Sequence, residues 1–304
     1  MEGRRMAMDK ILFISDLDGT LLDKNSMLSE YTKVALNELI SEGIYFSVAT
    51  GRTTDAAMKI MSGIKLNIPI VTFNGVVIYD TKHERFVNTY RLSIDAVEKV
   101  VSILKSKGAA SLMYELKDNR LVAYYESLDH KPICDFIKDR KTRYDSSFCQ
   151  VDDFTRVAPE HIIYFTLLDT YDRIKPVYNE LIGTPDINLV MVDDTRVNGL
   201  WWLEIYCAKA SKENAVAFLR DTYGYTKVVC FGDNYNDLPM FEACDVCVAV
   251  ENALDEIKSA ADYICEAHDK DGVVKWMINH YSRDGKLIDK AVVLRFADVI
   301  NVEL

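Results

Sequence analysis

Four short polar groups each follow an apolar run of this chain. They are Asp16-Leu-Asp18-Gly-Thr20, Thr50-Gly51-Arg52, Asn74-Gly75 and Gly232-Asp233-Asn-Tyr-Asn236-Asp237. Together they hold at least three carboxylates, which would repel one another strongly in a low-dielectric cleft unless they were protonated or bound to a cation. Oxygen donors without clustered histidine or cysteine suit Mg²⁺. The groups therefore predict a Mg²⁺ site, and the ion would supply the local positive charge that an anionic ligand needs.

The first group has the residue types that phosphoryl transfer requires. Asp16 is placed to attack phosphorus, because a carboxylate can form an acyl phosphate and divide one difficult displacement into two easier ones. Asp18 follows two residues later, so an extended backbone would project it from the same side of the chain. It can then protonate the leaving alkoxide and afterwards deprotonate the attacking water.

The other groups can contact phosphate and metal. The Thr50 hydroxyl and the Gly51 amide can hold phosphoryl oxygens. Lys212 lies in the first turn of a predicted helix that Ser211 caps, where it adds a point charge beside free amide donors. The remaining assignments are Asp233 as a Mg²⁺ ligand, Asn236 as a donor to phosphate, and Asp237 as a group that orients Lys212 or a metal-bound water.

Alternating strands and helices must bring these groups together. Strands are predicted at residues 11–14, 44–49, 68–73, 227–231, 246–250 and 263–265, with helical patterns between them. Continuous apolar strands separated by helices indicate a parallel sheet that is covered on both faces. Because ligands bind at the carboxyl ends of such strands, the four groups are expected to meet at one edge of the sheet.

The middle of the chain has a different pattern. From about residue 76 to residue 206, alternating strand patterns mix with amphipathic helices, which indicates an antiparallel α+β unit. The predicted fold is therefore a Rossmann-like, doubly wound parallel α/β core over residues 9–83 and 208–304, with an α+β domain of residues 84–207 inserted in it. Residues 283–304 fit either an extra strand or a tail.

Composition narrows the classes of function. The chain has 304 residues, a net charge of −11 and 49% hydrophobic residues, which is typical of a compact soluble protein with about two domains. The acidic balance disfavours a nucleic-acid partner, and no apolar stretch is long enough for a membrane helix. Seven cysteines without framework spacing predict reduced thiols in a cytoplasmic protein. The oligomeric state stays open, a monomer being plausible, and the histidines lie in no motif.

The motifs resemble those of the haloacid dehalogenase-like superfamily of phosphatases. The layout over about residues 10–281 is similar to its Cof-type branch, subfamily IIB, in which a large α/β cap is inserted between the second and third motifs. The matching segments are Asp16 to Leu22, Thr50 to Arg52, Lys212 and Gly232 to Asp237, with Asn74-Gly75 and Asp271-Gly-Val273 as branch features.

The resemblance implies a set of ligands. Mg²⁺ would be held by the Asp16 carboxylate, the Asp18 main-chain carbonyl and Asp233. The substrate and its phosphate would be held by Leu17 (main chain), Thr50, Gly51, Arg52, Asn74, Lys212 and Asn236. One departure concerns the third motif, because Glu213 stands where the branch usually has glycine, so that Lys209 competes with Lys212. The capping position of Ser211 favours Lys212.

The sequence thus predicts a Mg²⁺-dependent phosphatase that hydrolyses small phosphorylated metabolites, sugar phosphates in particular, through an aspartyl phosphate. The cap would close over the strand ends and exclude bulk water. A phosphosugar mutase of the same superfamily is an alternative that the sequence does not separate from it, since a mutase also needs the Asp18 acid. A non-catalytic sensor of phosphorylated ligands is a second alternative, although a pure binder does not require a nucleophile together with an acid.

Overall fold

The structure is a computed structural model that describes residues 10–194 and 197–280. The described part of the chain divides into two compact units, one formed by residues 10–51, 60–84 and 211–280 and the other by residues 52–59, 85–194 and 197–210. Residues 52–59 were expected in the core but belong to the inserted unit. Residues 283–304, for which the sequence left a strand or a tail, lie outside the described residues.

Helices and strands are numbered here in chain order. The first part of the chain contains β1 Ile11–Ser15, α1 Glu30–Ser41, β2 Tyr45–Val48, α2 Thr54–Ile60, β3 Ile70–Thr72 and β4 Val77–Asp80. The middle part contains β5 Arg85–Thr89, α3 Ile94–Lys107, β6 Leu112–Lys117, β7 Arg120–Tyr125, α4 Lys131–Tyr144, β8 Phe148–Gln150, β9 Ile162–Thr170, α5 Tyr171–Leu181, β10 Ile187–Asp193 and β11 Leu200–Cys207. The last part contains α6 Lys212–Tyr223, β12 Lys227–Gly232, α7 Leu238–Glu242, β13 Val246–Val250, α8 Asp255–Ala260, β14 Tyr263–Cys265 and α9 Gly272–His280.

The core unit is built on a five-stranded parallel sheet in the order β14-β13-β12-β1-β2. Every residue of β1 is buried, as a continuous apolar run in a sheet covered on both faces requires. The chain proceeds from β1 to one side through β2 and later returns to the other side through β12. The order therefore reverses beside β1, and such a switch point is where open α/β sheets bind their ligands.

Two predicted helix starts are confirmed. The Ser29 side chain accepts a hydrogen bond from the Thr32 amide at 2.9 Å, and Ser211 accepts one from the Asn214 amide at 3.0 Å. Each serine thus satisfies one of the orphan amides at its helix terminus. The Thr32 hydroxyl also donates to Asp271, just before α9, at 2.9 Å, which ties the beginnings of α1 and α9 together.

The inserted unit is an α+β domain with a six-stranded sheet in the order β10-β11-β9-β6-β7-β8. Its strand pairs are antiparallel except for β7 and β8, which are parallel, contrary to the expectation of an antiparallel unit. The reason is the connection, because the 14-residue α4 joins β7 to β8, and a helical crossover returns a strand in the same direction. The buried core of this domain includes Val100 of α3, Ile174 of α5 and Phe165 of β9.

The seven cysteines are free thiols. Cys244 and Cys247, which share a two-residue spacing, lie with their sulfur atoms 3.0 Å apart. Both thiols donate to the Phe241 carbonyl at 3.3 Å, near the end of α7, and the same carbonyl also accepts the Cys244 amide at 3.3 Å. Among the helices that the structure describes, none combines the length and the apolar character that crossing a bilayer demands.

Candidate active site

The candidate site lies where β1 and β12 end, at the switch point of the core sheet. Asp16 directly follows β1, and the loop that begins at Gly232 follows β12. Lys212 is the first residue of α6. Gly75 packs against the start of this helix, because a Cβ at Gly75 would lie 2.1 Å from the Ser211 carbonyl oxygen, and its φ of +99° also suits glycine.

Lys212 bridges two buried carboxylates. Its Nζ donates to Asp16 Oδ1 and to Asp237 Oδ1, each at 2.6 Å. The three residues are almost inaccessible, with Lys212 2%, Asp16 5% and Asp237 0% exposed. Of the two lysines that the sequence left in competition, Lys212 is therefore the one that contacts these carboxylates, whereas Lys209 is exposed and belongs to the inserted unit.

Asp237 also shapes the loop in which it lies. Its Oδ2 accepts hydrogen bonds from the Asp233 amide at 2.9 Å and the Asn234 amide at 3.1 Å. A Cβ at Gly232 would lie 2.6 Å from the Asp237 Cβ, so only glycine allows the aspartate this close to the end of β12. One oxygen of Asp237 thus fixes the lysine and the other fixes the backbone that carries Asp233.

Asp233 is held against the turn that follows Asp16. The Thr20 hydroxyl donates to Asp233 Oδ1 at 2.7 Å. Gly19 has a φ of +81°, and a Cβ there would lie 2.5 Å from Asp233 Oδ2. The Asp-x-Asp-Gly-Thr pattern therefore needs its glycine for two reasons, the backbone conformation and the close approach of a carboxylate.

Burial governs the protonation of these carboxyls. It raises the pKa of Asp16 well above its usual value, an effect that the Lys212 charge opposes and the Asp237 charge reinforces. Burial likewise raises the pKa of Asp233 to about 6, against the stabilising hydrogen bond from Thr20. Burial alone would lower the pKa of Lys212, but the charges of Asp16 and Asp237 outweigh it and raise that pKa. Lys212 therefore keeps its positive charge, whereas Asp16 and Asp233 are the groups whose protonation can change.

The carboxylate cluster fits a divalent metal ion. Asp16, Asp233 and Asp237 each offer one oxygen, and these oxygens lie within 4.8 Å of one another. One lysine does not balance three carboxylates, and a donor set of oxygens alone is the kind that hard cations prefer. The predicted ligand set had the Asp18 main-chain carbonyl as its third member, where this cluster has Asp237, whose side chain already bonds Lys212.

The backbone around Asp18 differs from the prediction. It was expected to stay extended after Asp16, but the chain turns at Leu17, and the Leu22 amide closes this turn on the Leu17 carbonyl at 2.9 Å. The Asp18 side chain is exposed and accepts a hydrogen bond from the Ser26 hydroxyl at 3.4 Å. Asp16 and Asp18 therefore have different surroundings, because Asp16 is buried at the end of β1 and Asp18 is exposed to solvent.

The second and third polar groups meet each other. The Asn74 amide donates to the Thr50 carbonyl at 3.0 Å, and a Cβ at Gly51 would lie 3.1 Å from Asn74 Oδ1. Thr50 is 1% exposed. Arg52 belongs to the inserted unit, where its guanidinium donates to the Tyr144 hydroxyl at 3.1 Å. Among the other predicted contacts, Asn236 is exposed and the Leu17 side chain is buried.

Two residues that the sequence interpretation passed over contact the turn that carries Asp18. Asn252 Nδ2 donates to the Gly19 carbonyl at 2.7 Å. His268 Nδ1 lies 2.6 Å from the Leu22 carbonyl oxygen and donates to it, since that oxygen can only accept. Both residues closely follow core strands, β13 and β14, so the rule that identified the other groups would have found them had it also been applied to the ends of these two strands.

Comparison with known proteins supports one family. Residues 13–277 match the family described as haloacid dehalogenase-like hydrolase. The chain is similar to two 5-amino-6-(5-phospho-D-ribitylamino)uracil phosphatases of Bacillus subtilis (strain 168). It is 25% identical to YitU over 89% of this chain and 97% of that protein, and 27% identical to YwtE over 85% and 93%. A haloacid dehalogenase-like hydrolase from Bacteroides thetaiotaomicron has the same fold, with a TM-score of 0.75 and 23% identity over 88% of this chain and 97% of that one.

Proposed function

The chain belongs to the haloacid dehalogenase-like hydrolases and is a phosphatase of their Cof type, and we propose that it hydrolyses small phosphorylated metabolites with Mg²⁺ through an aspartyl phosphate on Asp16. One observation carries the proposal. Lys212 holds Asp16 and Asp237 in a buried cluster that Asp233 completes. A nucleophile, a fixed cation and a metal-binding carboxylate are thus gathered at the switch point of the sheet.

Asp16 forms the new bond. Its carboxylate oxygen attacks phosphorus while the ester oxygen departs with the electron pair of the broken P–O bond, and Asp18 gives that oxygen a proton. Asp18, now ionised, takes a proton from water, and the water oxygen attacks the aspartyl phosphate. Inorganic phosphate leaves and the Asp16 carboxylate is restored. Lys212 supports this sequence because its charge favours the ionised, nucleophilic form of a carboxyl whose burial acts against ionisation.

The phosphoryl group is proposed to bind the main chain at Leu17, the Thr50 hydroxyl, the Gly51 amide, Lys212 and Asn236, with Arg52 and Asn74 as further contacts to the substrate. Mg²⁺ would be held by the Asp16 carboxylate, the Asp18 main-chain carbonyl and Asp233. When bound, it offsets the charge of the carboxylates and of the transferring phosphoryl group. Asp237 then keeps Lys212 oriented rather than joining the metal.

The names of the relatives support the substrate class. YitU and YwtE are named for a compound whose phosphate is carried by a ribityl chain. A phosphate ester of a primary alcohol on a sugar or sugar alcohol is therefore the proposed substrate type. The leaving group of such an ester is a strongly basic alkoxide, which needs the acid that Asp18 supplies.

A panel of phosphate esters tests this function. In the presence of Mg²⁺, the purified protein is expected to release phosphate from p-nitrophenyl phosphate and from at least one sugar or polyol phosphate, and EDTA should abolish the release. Colorimetric phosphate detection measures the rate, and chromatography of the sugar product identifies an isomer. An isomerised sugar phosphate without free phosphate would establish a mutase, and tight ester binding without turnover across the panel would establish a sensor.

The response of stability to Mg²⁺ should depend on pH. Asp16 and Asp233 have raised pKa values in the folded protein, with that of Asp233 at about 6. Each carboxyl therefore stabilises the folded state when it is protonated. The stability that protonated Asp233 contributes is present below about pH 4 and is lost as pH rises through about 6, at about 1.4 kcal/mol per pKa unit. The contribution of protonated Asp16 is lost in the same direction. Because Mg²⁺ competes with protons for these oxygens, it should raise Tm more at pH 7.5 than at pH 5.

Thermal unfolding in EDTA and in MgCl₂ at both pH values measures this difference. Asp233→Asn is the matched variant, since it removes the titrating group and keeps an acceptor for the Thr20 hydroxyl. The variant is expected to respond to Mg²⁺ weakly and with little pH dependence. An equal rise in Tm at the two pH values for the unchanged protein would contradict a site made of these carboxyls.

A further inference from the structure

The turn of residues 17–22, which carries Asp18, is bonded by two side chains from later parts of the chain, Asn252 and His268. Asn252 Nδ2 donates to the Gly19 carbonyl at 2.7 Å, and His268 Nδ1 donates to the Leu22 carbonyl at 2.6 Å. The two side chains also belong to one network, because Asn252 Oδ1 accepts the His268 amide at 2.9 Å. We propose that Asn252 and His268 are positioning residues that fix Asp18 for proton transfer, an inference that rests on the proposed function.

The place at which Asn252 acts is significant. Gly19 follows Asp18 directly and has the left-handed φ of +81°. The backbone beside Asp18 therefore has the wide conformational freedom of glycine and needs other contacts to hold it in one conformation. The carbonyl that Asn252 binds belongs to the peptide between Gly19 and Thr20, and the Thr20 side chain holds Asp233. The bond from Asn252 thus sets the orientation of the Gly19–Thr20 peptide. This peptide lies between Asp18, the proposed acid, and Thr20, whose hydroxyl binds Asp233, the proposed metal ligand.

His268 acts at the other end of the same turn. Leu22 closes the turn through its amide, which donates to the Leu17 carbonyl at 2.9 Å, while its own carbonyl receives the His268 ring. Both the interior and the end of the turn are therefore tied to the loops that follow β13 and β14. These loops directly follow strands of the core sheet, so the bonds connect the sheet to a turn whose acid is exposed.

Loss of the bonds that Asn252 makes is expected to lower the catalytic rate more than the stability of the protein. The bonds made by Asn252 are exposed to solvent, where water can replace a lost partner at little expense. A general acid, in contrast, must stay within hydrogen-bond reach of the departing oxygen, and a displacement of about 1 Å can lower a rate about 10²-fold. The loss of rate should depend on the leaving group. The p-nitrophenolate ion departs without much help from an acid, whereas an alkoxide must receive a proton as it departs.

Comparing two esters tests the proposal. Asn252→Ala is expected to lower kcat/KM for glycerol phosphate by about tenfold or more, and for p-nitrophenyl phosphate by less than about threefold, with little change in KM. The value of kcat/KM reports the steps up to departure of the alcohol, in which Asp18 acts as the acid. A loss of packing or of folded protein would lower the rates for both esters alike.

The chain contains a matched control. Asn37 Nδ2 donates to the Gly63 carbonyl at 2.8 Å, and Asn37 Oδ1 accepts the Lys65 amide at 2.8 Å. It therefore makes the same pair of bonds as Asn252, to a glycine carbonyl and a backbone amide, and neither Asn37 nor its partners Gly63 and Lys65 is a residue of the candidate site. Asn37→Ala is expected to change Tm about as much as Asn252→Ala while leaving kcat/KM for both esters within about twofold of the unchanged protein.

Two substitutions of His268 give a second test. An asparagine can place its amide donor near the position of Nδ1, whereas a glutamine places it near that of Nε2. His268→Asn is therefore expected to retain most of the activity on glycerol phosphate, and His268→Gln should show the same selective loss as Asn252→Ala. Tm values from thermal unfolding establish that each variant is folded.

The outcomes separate the two hypotheses. If the unchanged protein hydrolyses neither ester, the proposed function fails, and the roles of these two residues fail with it. If the protein hydrolyses both esters but Asn252→Ala lowers both rates equally, or His268→Asn and His268→Gln behave alike, the positioning role is wrong and the phosphatase stands. Asn252→Asp, which keeps the acceptor for the His268 amide and loses the donor to Gly19, should behave as Asn252→Ala does.

Discussion

Replacing Asp16 by asparagine is expected to reduce phosphate release from every ester by at least about 10⁴-fold, because the amide cannot form the aspartyl phosphate. The fold should survive the change. Lys212 keeps its bond to Asp237, and the substitution removes a carboxyl whose burial already acts against ionisation. Steady-state rates with Mg²⁺ measure the loss, and phosphorylation of the unchanged protein on Asp16, detected by trapping and mass spectrometry, identifies the intermediate.

Asp23→Asn provides the comparison for this result. Asp23 is a carboxylate of the same loop region that accepts the Asn25 and Met27 amides, bonds that an asparagine side-chain oxygen can also accept. Its replacement removes the same charge and should leave the rate within about twofold. Turnover that persists in Asp16→Asn, with Asp23→Asn unchanged, would show that Asp16 is not the nucleophile.

Lys212→Met should damage both activity and stability. Two buried carboxylates would lose their cation, and breaking such a buried pair typically costs about 3–5 kcal/mol. The pKa of Asp16 should then rise further above its unfolded value, so the loss of stability should be largest near neutral pH and should shrink as pH falls. Activity should drop at least about 10²-fold, since a charge that would face the phosphoryl group is gone.

Lys209→Met is the natural control, because Lys209 is an exposed lysine only three positions earlier. It should leave both Tm and phosphate release nearly unchanged. Denaturant unfolding at pH 5 and pH 7.5 for both variants gives the comparison. A Lys212→Met protein that is as stable as the Lys209→Met protein at neutral pH would mean that the buried carboxylates are already protonated, contrary to their proposed roles in metal binding and attack.

The sequence was informative where polar residues follow buried strands. Ile11 to Ser15 is apolar enough to lie inside a sheet covered on both faces, so the carboxylate at its end had to lie at the edge, and the same reasoning applied to Asp233. The serine caps before α1 and α6 were predictable because they depend on local hydrogen bonds. The apolar patterns of the strands and helices were enough to predict the fold class. The rule that ligands bind at the carboxyl ends of parallel strands then placed the polar groups at one edge of the sheet.

Features that depend on contacts distant in sequence were not predictable in this way. The turn at Leu17 depends on the left-handed Gly19 and on Asp233, which is more than 200 positions away. The residues of the turn alone do not indicate that Asp233 is their partner. The placement of residues 52–59 with the inserted unit is a matter of tertiary packing. Asn252 and His268 were passed over because they lie in none of the four polar groups, and their bonds to backbone carbonyls depend on contacts distant in sequence.

The pairing of β1 with β12 has a consequence for biosynthesis. Lys10 and Thr226, at the start of this pairing, are hydrogen-bonded although they are 216 positions apart. At about 5–20 residues per second, a ribosome needs roughly 10 to 40 s to make the intervening chain. During that interval β1 has emerged without β12, whereas the inserted unit, which ends at residue 210, is complete before β12 is made. Nascent chains should therefore carry an exposed apolar strand that chaperones can recognise, and a message truncated before Lys212 yields Asp16 without the lysine that binds it.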